Sequence, residues 1–277
     1  MQLIPSRHLS NAVNASQTLA AILISFGLIG CASKLGTADG GTQQEIITES
    51  DEPDTRRRAR IRLELAVGYF EQGQTTVALD ELKQSLAADP NFAEALNLRG
   101  LIYMRLNDSR LAEESFRRAL TINPKDSNVL HNFGWMLCQQ SRFAESQQVL
   151  SQAVANPLYA GRAKSWMAQG LCQIKAGQVA DAELSLQRSY EIDPGNPVTA
   201  YNLSSLLFQR KELARAQFYV RRLNNSELAN AESLWLGIKV ARSLDNRDAM
   251  SQLGGQLKKR FSQSRELSAY ERSAFDE

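Results

Sequence analysis

Small residues and prolines return in this chain at intervals of 34 residues. Pro90 and Pro124 are 34 apart, and so are Ala66 and Gly100, Gly100 and Gly134, and Ala78 and Ala112. Each unit has a small residue, an apolar or aromatic residue three later, an alanine about nine after that, and a closing proline. Length and spacing fit two short helices per unit, and no run of alternating Val, Ile, Thr and aromatics competes as strand. A pair of helices this short cannot bury its own apolar face. The units must therefore stack, and the chain is constrained to an all-α solenoid whose core is a seam between neighbours.

The segment Leu96-x2-Arg99-Gly100-x2-Tyr103, then Ala112-x3-Phe116, then Pro124 resembles the tetratricopeptide pattern, with only Arg99 out of type. The register runs through six units. Leu65, Ala66 and Tyr69 are the expected first-helix core of the first, with Gly73 at its turn and Ala78 and Leu82 in its second helix. Leu130, Phe133, Gly134 and Leu137 mark the third, and Trp166, Gly170, Gly177, Ala182 and Leu186 the fourth. The fifth (Leu203, Ser204, Ala216, Val220) and sixth (Leu236, Gly237, Ala249, Leu253) match fewer positions. The period breaks once, between Gly134 and Gly170, which are 36 apart; the extra two residues fall in Asn156-Pro157-Leu158-Tyr159-Ala160-Gly161.

The amino terminus carries a different signal. Leu19 to Ile29 is almost wholly apolar, preceded by Arg7 and His8 and no acidic residue. Eleven helical residues reach only about half of a bilayer core, so the stretch reads as a secretory h-region rather than a membrane span. Leu28-Ile29-Gly30-Cys31 follows, which resembles the bacterial lipobox and implies acylation at Cys31; the alternative is a plain signal peptide with a chance cysteine. Ala32, where Asp would imply inner-membrane retention, implies the outer membrane. Several acyl chains at about 0.8 kcal/mol per buried CH₂ make such an anchor permanent. The resulting division is a signal peptide over 1–30, a Gly-, Thr- and acid-rich tether over 31–57, the solenoid over 58–263 and a tail over 264–277. Arg56 to Arg60 reads as a solvated first turn, with contact to acidic lipid as the alternative.

Composition narrows the function. A formal net charge of +2 over 277 residues, with Lys and Arg interspersed among Asp and Glu, predicts no basic face and no electrostatic footprint for nucleic acid. Beyond the signal peptide one histidine remains, His131. No G-x-S-x-G elbow, Walker loop, GxGxxG loop or Cys/His cluster with metal spacing occurs, so no catalytic residue, metal, cofactor or small-molecule substrate is expected. The expected work is protein binding. In tetratricopeptide repeats the concave wall is built from recurring first-helix positions. Here these are Leu63, Val67 and Phe70; Leu101 and Met104; His131 and Trp135; Met167, Leu171 and Ile174; Tyr201 and Phe208. The paired Lys and Asn with which some tetratricopeptide chaperone adaptors clamp a carboxylate are missing, since Leu63 and Val67, or Asn97 and Leu101, stand there. An apolar wall suits an amphipathic helix or an extended peptide with apolar anchors.

The stretch HNFGWMLCQQSRFAESQQVLSQAVANPLYAGRAKSWMAQGLCQIKAGQVADAELSLQRSYEI, with its NPLY loop, resembles the middle of the type IV pilus biogenesis and stability lipoprotein family, the pilotins of the pilus secretin. SLWLGIKVARSLDNRDAMSQLGGQLKKRF resembles the last repeat of that family. The resemblance implies an outer-membrane lipoprotein on the periplasmic face that helps the secretin reach that membrane and assemble. A general outer-membrane adaptor for barrel assembly or periplasmic proteases is the alternative. Cys138 and Cys172 fall on neighbouring first helices, where an oxidising compartment would pair them. Two buried thiols acting as small apolar residues are the other reading. The family resemblance also implies a bridge between the third and fourth repeats.

Overall fold

The computed structural model describes residues 51–275. The expected signal peptide, Cys31 and most of the expected tether lie outside the described residues. Residues Ile47–Glu277 form one compact unit. Within it six helix pairs follow one another: α1 (Asp54–Glu71) and α2 (Thr75–Ala88), α3 (Ala93–Arg105) and α4 (Ser109–Ile122), and α5 (Ser127–Gln139) and α6 (Phe143–Ala155). Then come α7 (Arg162–Lys175) and α8 (Val179–Ile192), α9 (Pro197–Gln209) and α10 (Leu213–Asn224), and α11 (Ala231–Ser243) and α12 (Arg247–Arg260). A short α13 (Arg265–Glu271) closes the series. The chain folds as an all-helical tetratricopeptide solenoid, with no strand among the described residues.

Contacts define the two walls. The backbone of each odd-numbered helix comes close to the next odd one, and that of each even helix to its own partner and the following odd helix, but no two even-helix backbones approach each other. Even helices meet only through long side chains, as Arg215 of α10 meets Glu183 of α8. The odd helices therefore crowd along the inner, concave wall and the even helices fan out along the outer one. The small residue of each first helix exists for this approach. A Cβ added at Gly100 would stand 2.5 Å from Phe116, and one at Gly134 would stand 2.6 Å from Leu150. In each case the second-helix residue 16 positions on fills the space. Phe116 is fully buried and faces Phe133 of the next repeat, their ring centroids 6.0 Å apart, so one side chain closes both its own pair and the seam.

The turn inside each pair passes through the left-handed region once: Gly73 (φ 78°), Asn107 (59°), Ser141 (61°), Gly177 (74°), Lys211 (63°) and Asp245 (52°). These residues repeat the sequence period, with the single 36-residue step between Ser141 and Gly177. The connection from α6 to α7 is the widened one. It runs over residues 156–161, where the neighbouring connections, 123–126 and 193–196, have four residues. Polar caps open several helices: Asp108, Asp126, Asn196 and Asn246 accept from the first-turn amides, and Asn230 forms a capping box with Ser233.

Three expectations change. α1 begins at Asp54, inside the stretch expected as tether, and Glu52 pairs with Arg60 at 3.2 Å. Arg56 pairs with Asp89 and Arg57 with Asp54, so most of this basic cluster is locally neutralised. Leu65 is 44% exposed rather than core. Its counterpart Phe133 packs on the preceding repeat, and no repeat precedes α1 among the described residues. The segment from 264 on is no loose tail. Ser264 caps α13, Tyr270 lies against Gly254 of α12, and Phe275 stacks on Trp235 of α11 at 5.3 Å. Leu267 and Ala269 join Leu234, Trp235, Ile238 and Leu257 in a buried cluster. α13 occupies the place of a seventh first helix and covers the apolar end of the stack.

Candidate partner groove

The inner wall is assembled from one face of α1, α3, α5, α7 and α9. Eleven of the twelve sequence-assigned residues keep some solvent exposure there: Leu63, Val67, Phe70, Leu101, Met104, Trp135, Met167, Leu171, Ile174, Tyr201 and Phe208. Leu63, Phe70 and Leu101 also pack on the core of the first seam, and Tyr201 and Phe208 on that of the fifth repeat. Each such side chain is thus held from behind by the seam while another edge faces solvent. That arrangement gives rigid apolar ridges.

His131 is the correction. It is 6% exposed, and its Nδ1 lies 2.9 Å from Ser165 Oγ on α7. Burial, aided by the charge of Lys164, lowers its pKa to about 4. At neutral pH it is an uncharged joint between α5 and α7 rather than a wall residue. Beside that joint Cys138 and Cys172 stand paired as a disulfide, with Cα atoms 5.7 Å apart.

Sequence reasoning missed how the wall is charged. Cations from neighbouring turns lie over its aromatic rings: the Arg105 guanidinium 5.0 Å from the Phe70 centroid, Lys175 Nζ 5.7 Å from Trp135, and Lys211 Nζ 5.7 Å from Phe208. Arg105 also donates to the Phe70 carbonyl at 3.0 Å, which fixes it in place. Asn132 Nδ2 donates to Asn97 Oδ1 at 3.0 Å, linking α5 to α3. At one end Leu63 and Val67 line a hollow of about 560 Å³ with Phe92 and Arg56. At the other, Tyr201 and Phe208 line one of about 470 Å³ with Trp235, Lys239, Arg265 and Glu266. No sixth-repeat residue is among the wall positions assigned from sequence, which therefore miss Trp235; here it lines the hollow beside Ala269 of α13. Among the described residues no group of three His, Cys, Asp or Glu side chains is placed to hold a metal.

Stacked helix pairs with a continuous, part-apolar inner wall define a tetratricopeptide protein-interaction scaffold. The tetratricopeptide repeat family model matches residues 63–127 and 133–197. The crystal structure of PilW, a widely conserved type IV pilus biogenesis factor, is 31% identical, with a TM-score of 0.67 over 76% of this chain and 97% of that one. The structure of PilF from Pseudomonas aeruginosa is 27% identical, with a TM-score of 0.72 over 80% of this chain and 100% of that one. The full type IV pilus assembly protein PilF of that organism is 28% identical over 249 residues, 90% of this chain and 95% of the relative. The chain belongs to this family of tetratricopeptide type IV pilus biogenesis proteins.

Proposed function

We propose that this protein is an outer-membrane lipoprotein, anchored through Cys31 on the periplasmic face, that holds a subunit of the type IV pilus secretin in its groove. In that role it promotes delivery of the secretin to the outer membrane and assembly of its multimer. The observation that carries the reading is the inner wall itself, in a chain of a pilus biogenesis family. Trp135, Leu171, Tyr201 and Phe208 offer part-exposed apolar surface on rigid helices, and cations frame the rings. An amphipathic segment with apolar anchors and acidic flanks complements such a wall.

Capture from detergent-solubilised envelopes of cells assembling type IV pili tests this directly, with the secretin subunit as the expected main partner. Trp135→Ala should weaken that association by roughly 30-fold, the effect of losing an aromatic anchor worth about 2 kcal/mol. Arg110→Glu on the outer helix α4 should change it little, because exposed rim charges contribute under about 1 kcal/mol. Recovery of barrel-assembly proteins alone, or an unaltered affinity in folded Trp135→Ala protein, rejects the reading. Cys31→Ser should leave the protein unacylated and the secretin multimers fewer or misplaced. Normal multimers in the outer membrane would show that the anchor is dispensable.

A further inference from the structure

The last turns of the outer helices are not alike. α2, α4, α6 and α8 have no basic residue there. α10 ends on Arg221 and Arg222, and α12 on Lys258, Lys259 and Arg260. A cation at a helix C-terminus complements the helix dipole, but that benefit is open to all six outer helices and only these two take it. The charge of the chain follows the same division. Residues 51–210 contain eighteen Lys and Arg and eighteen Asp and Glu, whereas residues 211–262 contain ten against five, a net of +5. The near-neutral total conceals this.

None of the five cations stands in an ion pair with a described carboxylate, although Arg215, one turn earlier on α10, is bridged to Glu183 and Glu212. Phe218, Arg221, Arg222 and Asn225 line one shallow hollow, and Asn225, Gln256 and Arg260 an adjoining one that also holds Glu227. Arg260 is held toward that loop by donating to the Ala229 carbonyl at 3.1 Å. Phe218, in the hollow with Arg221 and Arg222, is 61% exposed, and Leu228, next in sequence to the Glu227 of the second hollow, is 55% exposed. The patch lies at one edge of the outer wall, which is convex and cannot wrap a peptide.

We infer that this edge of repeats five and six docks on an anionic phospholipid surface, with the guanidinium and ammonium groups on the headgroup phosphates and Phe218 and Leu228 in the interfacial layer. Cations without a carboxylate partner, two of them over the rings of Tyr190 and Phe261, beside exposed aromatic and aliphatic side chains are the composition of interfacial contacts, and a convex edge fits a flat sheet. The contact would leave the concave wall facing away from the bilayer.

Residues 47–277, the compact helical unit, carry no acylation site and isolate the patch from any lipid anchor. Sedimentation with vesicles of phosphatidylcholine alone, or with one-third phosphatidylglycerol, is the measurement. Binding is expected only to the anionic vesicles and should fall as salt screens it. Arg221→Glu/Arg222→Glu/Lys258→Glu should lower the partition coefficient by at least about 100-fold, since each cation near an anionic surface counts for about fivefold. Lys83→Glu/Arg110→Glu/Arg188→Glu changes the net charge equally on earlier outer helices and should keep most of the binding, with native circular dichroism in both. Equal sedimentation with the two vesicle types, or equal losses in the two variants, would overturn the inference.

Discussion

Cys138 and Cys172 tie α5 to α7 across an intervening helix and the widened loop, and removing that tie should cost the third seam much of its stability. The two residues are separated by 34 positions. In the chain-entropy model a closed loop of that length stabilises the fold by about 3–4 kcal/mol. Both side chains are almost fully buried, at 1% and 0% exposure, so a reductant cannot reach the sulfurs without opening the seam. The comparison must therefore be made between protein refolded from urea with and without reductant, and with Cys138→Ala/Cys172→Ala as a form that cannot pair. With urea slopes of about 1–3 kcal/mol/M for domains of ordinary size, the reduced and double-alanine forms should melt at least about 1 M earlier. In a repeat protein the loss need not be uniform. Hydrogen exchange should show the deficit concentrated in α5, α6 and α7, with α1 and α2 protected as before. If oxidised, reduced and double-alanine proteins unfold at one urea concentration with one exchange pattern, the bridge carries no weight in this seam.

The buried histidine predicts a pH dependence whose sign is fixed by its lowered pKa. The native state releases a proton that the unfolded chain still holds, so stability is present above about pH 6.5 and lost as pH falls toward 4. The loss amounts to about 3 kcal/mol at most, and His131→Gln should flatten the slope in that window; identical pH profiles for the two proteins would reject the neutral joint. Gly134→Ala places a methyl group 2.6 Å from Leu150 Cγ at a seam that cannot easily part, and should destabilise by about 1–3 kcal/mol in urea melts. Gly255→Ala, where nothing lies within 4 Å of the new carbon, should be neutral or slightly stabilising, and equal costs at the two glycines would refute the packing argument.

The period was legible because its residues answer to contact rather than to propensity. Gly100 and Gly134 are small because Phe116 and Leu150 lie on them, and that demand recurs wherever one helix pair is built like the last. The turns were less legible. Gly73 and Gly177 announce the left-handed residue, but Asn107, Ser141, Lys211 and Asp245 adopt the same φ with side chains that occur anywhere. α13 could not be seen at all. Seven residues do not establish a period, and Leu267 and Ala269 gain meaning only against the face that α11 presents. The basic edge was hidden by the near-neutral sum over the whole chain.

The groove was read from register, and register proves insufficient for a physical reason. Leu63, His131 and Leu234 occupy the same position of the first helix in repeats one, three and six, taking Ala66, Gly134 and Gly237 as the common reference. Leu63 keeps part of its surface in solvent, His131 is closed in beside Ser165, and Leu234 is fully buried in the cluster that α13 completes. The position looks toward the next first helix. What it becomes depends on how closely that helix approaches and what side chain it brings. At α7 a small Ser165 lets His131 sink into the seam and bond across it, while at the end of the stack α13 brings Leu267 and Ala269 onto the last seam. α13 therefore ends the groove as well as the core: beyond Tyr201 and Phe208 the apolar wall gives way to Lys239, Arg265 and Glu266. A partner helix lying along the wall would meet apolar ridges from α1 to α9 with cations over Phe70, Trp135 and Phe208, and charged side chains in the hollows at both ends. The complement of such a wall is an apolar segment with charged groups on either side of it.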